Sequence, residues 1–137
     1  MLYVVLCYND EDVTGSWTKE EDDMVMTRLV AVTDRLEKAG KLGPVARLMP
    51  TTAATTLRKG GYGKRLDPGP EPAVVTDGPF AETKEQLLGF YVIQCGGLEE
   101  ALEIARELGQ ANPGGAYEIR PVSLFFPGGQ VAARSHE

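Results

Sequence analysis

Apolar positions follow two periods along the chain, one typical of strands and one typical of helices. Apolar runs rich in β-branched and aromatic residues predict strands over residues 3–9, 43–48, 54–58, 73–76, 87–95 and 117–122. Apolar residues recurring every three or four positions predict helices over residues 18–39 and from residue 98 to a stop at Gly109. Polar residues 9–16 predict a loop, and the proline-rich residues 59–72 predict a mobile hairpin connection.

The first helix carries the clearest start and stop signals. Thr18 and Glu21 match a capping box, in which each side chain bonds the other residue's backbone N–H. Acidic residues fill the first turn, where the helix dipole favours negative charge. Gly40 suits the left-handed position that follows a helix.

The order of the elements predicts an α+β fold. Without the hairpin formed by residues 54–76, the order is βαββαβ, which is the ferredoxin-like arrangement. Right-handed crossovers place both helices on one face of an antiparallel sheet. We expect a single domain over residues 1–122, followed by a C-terminal tail over residues 123–137. Within that tail, the Leu124-Phe125-Phe126 segment is expected to pack against another surface.

The second sheet face also needs cover. The first and third core strands are apolar on both faces, yet the helices cover only one. A two-fold contact of sheet against sheet would bury the other face, so we expect a homodimer with a barrel-like interior, a dimeric α+β barrel. The same topology places Cys7 and Cys95 at opposite ends of the sheet, too far apart for a disulfide.

Composition and charge narrow the possible functions. Of the 137 residues, 42% are hydrophobic and 25% charged, as in an ordinary globular domain, and the net charge is −6. A negative protein is a poor partner for nucleic acid or an anionic membrane surface, and no apolar run approaches a membrane span. We therefore expect a cytoplasmic protein. Two cysteines and one histidine make neither a disulfide framework nor a zinc site, and no metal or cofactor is predicted.

The stretch from Val75 to Tyr91 contains the most specific motif. It reads Asp-Gly-Pro-Phe-Ala-Glu-Thr-Lys-Glu-Gln-Leu from Asp77 to Leu87, followed by Gly-Phe-Tyr at residues 89–91. This sequence resembles the signature of the DGPF, or YCII-related, domain family, and the resemblance extends over residues 2–122. It implies a dimeric α+β barrel of ferredoxin-like protomers, in agreement with the fold argued above.

The resemblance implies less about function. Some YCII-related proteins are enzymes of small-molecule catabolism that use a His-Asp pair in a cleft. The single histidine of this chain, His136, lies in the tail and outside the resembling region. Members similar to this chain are also linked with extracytoplasmic-function sigma factors, which implies a regulatory association.

Asp77 is the candidate catalytic residue. A carboxylate at the mouth of a cleft acts as a general base or binds a ligand once burial raises its pKa. The alternative is a structural Asx-turn, in which Asp77 bonds backbone amides around Gly78 and Pro79.

Four further residues are candidate ligand contacts. Glu82 and Lys84, with Glu85, form either a polar pocket rim or a solvated loop with weak ion pairs, and Thr83 with Gln86 matches a short capping box. Tyr8 and Tyr91 present hydroxyl groups toward a cavity.

The aromatic residues of this region also have a structural interpretation. Phe80, Phe90 and Tyr91 suit core or dimer-interface positions, and strand alternation places Phe90 and Tyr91 on opposite faces of the sheet.

Two functional hypotheses follow. The first is a small-molecule-binding barrel with a cleft near the Asp-Gly-Pro-Phe turn, with a carboxylate-based enzymatic activity as one form of it. The second is a non-catalytic regulatory or interaction protein linked with a sigma factor. The residues do not decide whether the protein is an enzyme.

Overall fold

The elements follow the predicted order. A computed structural model of the chain describes residues 1–60 and 72–129. The strands are β1 (Leu2–Asp10), β2 (Leu42–Arg47), β3 (Thr55–Arg58), β4 (Val74–Asp77), β5 (Glu85–Gln94) and β6 (Ala116–Pro121). The helices are α1 (Glu11–Thr14), α2 (Lys19–Lys38) and α3 (Leu98–Ala111), with a 3-10 turn over Thr51–Ala53.

Four strands form one antiparallel sheet in the order β2-β5-β1-β6. Each βαβ unit is split by a strand of the other, and this confirms the ferredoxin-like α+β fold with both helices on one face. Strands β3 and β4 pair separately as an antiparallel hairpin, which confirms the predicted insertion. Most of the connection predicted over residues 59–72 lies outside the described residues.

The core lies between the helices and one face of the sheet. Val5 of β1, Ile93 of β5 and Leu108 of α3 are the largest fully buried side chains. Alternation along β5 puts Tyr91 and Ile93 on the helix side, while Phe90 is outside this core cluster.

The capping box of α2 is present as predicted. The Thr18 hydroxyl accepts a hydrogen bond from the Glu21 N–H at 3.1 Å, and the Glu21 carboxylate accepts one from the Thr18 N–H at 2.9 Å. The helix ends at Lys38 with Ala39 as its C-cap, and Gly40 follows with a φ of 71°.

The two thiols are free and far apart. Cys7 pairs with Gly89, whereas the Cys95 N–H bonds the Met1 carbonyl at the other end of β1. This confirms the predicted separation.

Two predicted boundaries were wrong. Residues 9–16 are not a simple loop, because β1 continues to Asp10 and α1 follows it directly. The Asp10 carboxylate caps α1 by accepting a bond from the Asp12 N–H at 2.9 Å. Gly109 does not stop α3, because the helix continues to the buried Ala111 and Asn112 is its C-cap.

One smaller expectation was also wrong, and a second is not tested by the single chain. Thr83 and Gln86 form a turn and not a capping box, since the Gln86 amide donates to the carbonyls of Ala81 and Thr83, both at 2.8 Å, and β5 then begins. Leu124 and Phe126 are exposed on the single chain, and the tail from residue 130 onward lies outside the described residues.

No helix in residues 1–60 or 72–129 is both long and apolar enough to cross a membrane.

The capping box predicts a measurable loss of stability. Thr18→Ala removes the bond to the Glu21 N–H and should lower the free energy of unfolding by about 1 kcal/mol. Urea denaturation measures this. Thr27→Ala, on an exposed face of the same helix, is the control and should change it by less than about 0.5 kcal/mol. Equal effects of the two substitutions would contradict the capping role.

Candidate functional site

Two rows of side chains across the sheet define the candidate site. Residues directly opposite each other on antiparallel strands share a face. One row runs Tyr117, Cys7, Gly89, Arg47 across β6, β1, β5 and β2. The neighbouring helix-side row includes Tyr91 opposite Val45.

The two central residues of the first row have the smallest side chains. Cys7 has a small side chain and Gly89 has none, while Tyr117 and Arg47 stand at the two ends. A side chain at Gly89 would collide with β2, because its Cβ would lie 2.6 Å from the Ala46 carbonyl oxygen. Close strand packing therefore requires glycine here, and the glycine leaves a depression in the floor.

The first half of α2 covers this depression. Because residues three and four apart share a helix face, one stripe of α2 looks down on the floor. The residues of this stripe that line the cavity are Asp22, Val25, Met26, Leu29, Val30 and Thr33. We call the space between floor and stripe the helix-side cavity; its volume is about 460 Å³, enough for a small organic ligand.

Charged side chains lie at the mouth of the helix-side cavity. Arg47 of β2 pairs with Asp22 of α2 at 3.3 Å, and its guanidinium also lies 3.6 Å from the Met26 sulfur. Glu11 accepts hydrogen bonds from the backbone N–H and the hydroxyl of Thr51. The charges at the mouth are thus engaged with protein groups.

Burial dominates the ionisation of the floor. Loss of hydration raises the pKa of the Cys7 thiol to about 12 and that of the Tyr91 hydroxyl to about 12. It also raises the pKa of Tyr117, with the nearby Cys7 and Tyr91 adding to the effect and Asn112 opposing it. These groups are neutral at physiological pH, so Cys7 is a poor nucleophile.

Tyr117 carries an unusual feature. Its hydroxyl oxygen is buried and forms no well-aligned hydrogen bond with the described residues, although the Asn112 side chain is close enough to lower its pKa. Most buried polar groups are paired, and one without a partner calls for an explanation.

A second cavity, of about 530 Å³, lies beside the Asp-Gly-Pro-Phe turn. Its walls include Met49, Pro79, Phe80 and Leu87. Phe80 is 70% exposed and stacks under the Arg58 guanidinium, 4.9 Å from the ring centre, so it is not a core residue of the protomer. This cavity is more open than the first and has fewer polar groups on its walls.

The structure brings two of the predicted site residues to cavities. Tyr8 lies where the register between β1 and β5 shifts, and it lines both cavities. Tyr91 lines the helix-side cavity.

The other three predicted residues, Asp77, Glu82 and Lys84, line neither cavity. Lys84 is 84% exposed and lies 3.8 Å from Asp10.

The Asp77 carboxylate makes no hydrogen bond with any described residue, so the predicted Asx-turn is not formed there. The turn is held by the Gly78 N–H, which donates to the Ala54 carbonyl at 2.8 Å, and by the Thr56 hydroxyl, which donates to the Gly78 carbonyl at 2.8 Å.

Sequence reasoning missed the residues that shape the helix-side cavity: Tyr117, Gly89, Arg47 and Trp17. A signal existed for one of them, because a glycine inside a strong strand pattern marks a close backbone approach. Tyr117 and Arg47 carry no local signal, since only the strand register places them in one row.

Metal binding has no structural support in residues 1–60 and 72–129, where no group of three or more His, Cys, Asp or Glu residues could hold an ion.

Comparisons with known proteins agree with the fold. A family model described as the YCII-related domain matches residues 1–126. A protein of Rhizobium meliloti (strain 1021) is 59% identical over 129 residues, which is 93% of this chain and 97% of that protein. That relative is itself described as an uncharacterised protein. The resemblance inferred from the Asp-Gly-Pro-Phe motif is confirmed at the level of the family.

The buried thiol predicts a loss of stability at alkaline pH. An unfolded Cys7 ionises near its ordinary pKa of 9.0, but the folded one only near 12. Between these values the unfolded state binds fewer protons than the native state, so the free energy of unfolding falls as pH rises from about 9. Tyr91 adds to this only from about pH 10, its ordinary pKa.

Cys7→Ala should therefore flatten the decline that begins near pH 9 and leave the later one. Urea denaturation at a series of pH values from 8 to about 11 measures both. An unchanged slope in the variant would show that the Cys7 thiol is not the group responsible.

Proposed function

This chain belongs to the YCII-related domain family, and we propose that it is a small-molecule-binding protein whose ligand occupies the helix-side cavity. The observation that carries the proposal is the cavity itself, about 460 Å³ in volume and built from apolar walls with a few polar groups at defined places. Ligand sites typically have this size and composition.

The form of the helix-side cavity supports binding over a purely structural role. Protein interiors are close-packed, and voids larger than a water molecule are few. This space lies beside a well-packed core whose central side chains, Val5 and Ile93, are fully buried. Tyr91 and Tyr117 are among the polar residues of a lining that is mostly apolar in area, and a few polar groups in such a wall orient a ligand.

Asp77 lies outside the proposed ligand site. The Asp77 carboxylate is exposed at the end of β4 and lines neither cavity, so its protomer offers it no burial and no neighbouring ligand space. General-base catalysis needs the base within hydrogen-bond reach of the substrate.

We also propose that the protein is a homodimer formed through the sheet face opposite the helices. Leu2, Val4 and Leu6 of β1 lie on this face with Phe90 of β5, and each stays partly exposed in the single chain. Glu118 and Arg120 flank it on β6, opposite Leu6 and Val4. If the two-fold axis passes beside this pair of opposite charges, Glu118 of one copy can lie opposite Arg120 of the other.

Blocking the helix-side cavity tests the ligand site. Val30→Trp places a large ring on the α2 stripe, which forms the roof of the cavity. Val30 is about half exposed, so the fold should tolerate the ring. A small-molecule library is screened by thermal shift against the wild type, because a ligand that binds the native state raises the apparent melting temperature. Hits should lose at least about tenfold in affinity in the variant.

Met24→Trp is the matched control for this experiment. Met24 lies on the same helix and is similarly exposed, but it does not line the helix-side cavity. Hits that bind both variants equally lie elsewhere and contradict the proposed site. A library without hits against the wild type would favour the regulatory function instead.

Placing a charge on the open sheet face tests the dimer. Val4→Asp buries a carboxylate in the proposed interface and should convert a dimer into monomers, because an unpaired buried charge costs several kcal/mol, about enough to break a contact of this kind. Light scattering after size-exclusion chromatography measures the mass. Val13→Asp, on the exposed surface of α1, is the control and should remain dimeric. A monomeric wild type would refute the proposal directly.

A further inference from the structure

We infer that the helix-side cavity selects an uncharged ligand that presents a hydrogen-bond acceptor, such as a carbonyl oxygen, to the hydroxyl of Tyr117. The inference rests on the proposed function, because it concerns the chemistry of the same ligand. It follows from where the charges of the cavity lie and from the Tyr117 hydroxyl, which is buried without a well-aligned hydrogen bond among the described residues.

The described residues that line the helix-side cavity offer no free counter-charge. Only Glu11, Asp22 and Arg47 are charged among them. Arg47 pairs with Asp22 at 3.3 Å, and Glu11 is held by the backbone N–H of Thr51 at 2.8 Å. An anionic ligand would compete with Asp22 for Arg47, and a cationic ligand would compete with Arg47 and Thr51 for the two carboxylates.

The floor excludes charge for a second reason. Cys7, Gly89, Tyr91 and Tyr117 present a thiol, a bare backbone and two hydroxyls, none of them ionised at neutral pH. A carboxylate or ammonium group placed against this floor would lose its hydration with no opposite charge to replace it, which costs several kcal/mol. A neutral carbonyl loses much less, because one hydrogen bond replaces the one it gives up.

Tyr117 supplies that bond. Its ring forms part of the cavity wall, and its hydroxyl lacks a partner among the described residues. Ligand recognition requires this hydroxyl, which is buried in the structure, to reach the cavity surface and donate there to the ligand. A buried hydroxyl without a hydrogen bond is unfavourable, and a ligand acceptor would supply the missing bond.

The unpaired hydroxyl allows a clean substitution. Tyr117→Phe removes a hydroxyl that forms no well-aligned hydrogen bond with the described residues, so it should leave the free energy of unfolding unchanged or raise it slightly. A loss of ligand affinity in this variant then reports on recognition and not on folding. Tyr3→Phe is the matched control, since Tyr3 lies in the core of the same sheet and does not line the cavity.

Matched fragments provide the test. Each set shares one ring skeleton and differs in a single substituent, for example naphthalene, 2-acetonaphthone and 2-naphthoate. Protein-observed NMR titration gives the affinity of each fragment and shows whether resonances of cavity residues shift. The ketone should bind more tightly than the hydrocarbon and the carboxylate. Tyr117→Phe should weaken the ketone by about 3- to 10-fold and leave the hydrocarbon unchanged.

The outcomes separate this inference from the proposed function. If carboxylates bind the cavity most tightly, or if Tyr117→Phe weakens ketone and hydrocarbon equally, the inference is wrong while the ligand site stands. If no fragment of any set shifts cavity resonances, the proposed function and the inference both fail. The same loss of ketone affinity in Tyr3→Phe would also overturn the assigned role of Tyr117.

Discussion

The antiparallel pairing of β1 with β5 is the constraint on which the rest of the structure depends. These two strands occupy the centre of the sheet and contribute the fully buried Val5 and Ile93. Their register sets Cys7 against Gly89, and every other cavity residue is placed relative to that pair. A shift by one residue would turn all side chains of β1 to the opposite face and would destroy core and cavity together.

The overall fold was predictable because its signals are local and mutually consistent. The capping box at Thr18, the apolar stripe of α2 and the β-branched run before Cys95 each specify an element, and their order leaves few topologies. The two wrong boundary predictions also have physical causes. A cap at Asp10 turned a polar segment into a short helix, and the burial of Ala111 outweighed the preference of Gly109 for a helix end.

The candidate site was much less predictable than the fold. Sequence reasoning favoured the conspicuous Asp-Gly-Pro-Phe turn, yet Asp77 is exposed and the more enclosed cavity lies on the helix side. Tyr117 and Arg47 are 70 residues apart in the chain and meet in one row only through the pairing of four strands. Tyr8 and Tyr91 were anticipated because they lie on the strands that sequence identified with most certainty.

Gly89 restricts which substitutions the floor of the helix-side cavity can accept. Any side chain at position 89 would place its Cβ 2.6 Å from the Ala46 carbonyl oxygen. Substitution there would separate β2 from β5 before it could reshape the helix-side cavity. The roof has no such restriction, since Met26, Val30 and Thr33 project from a helix that can exchange side chains without breaking backbone pairing. The shape of the helix-side cavity can therefore vary through substitutions on α2, while its floor stays fixed by the sheet.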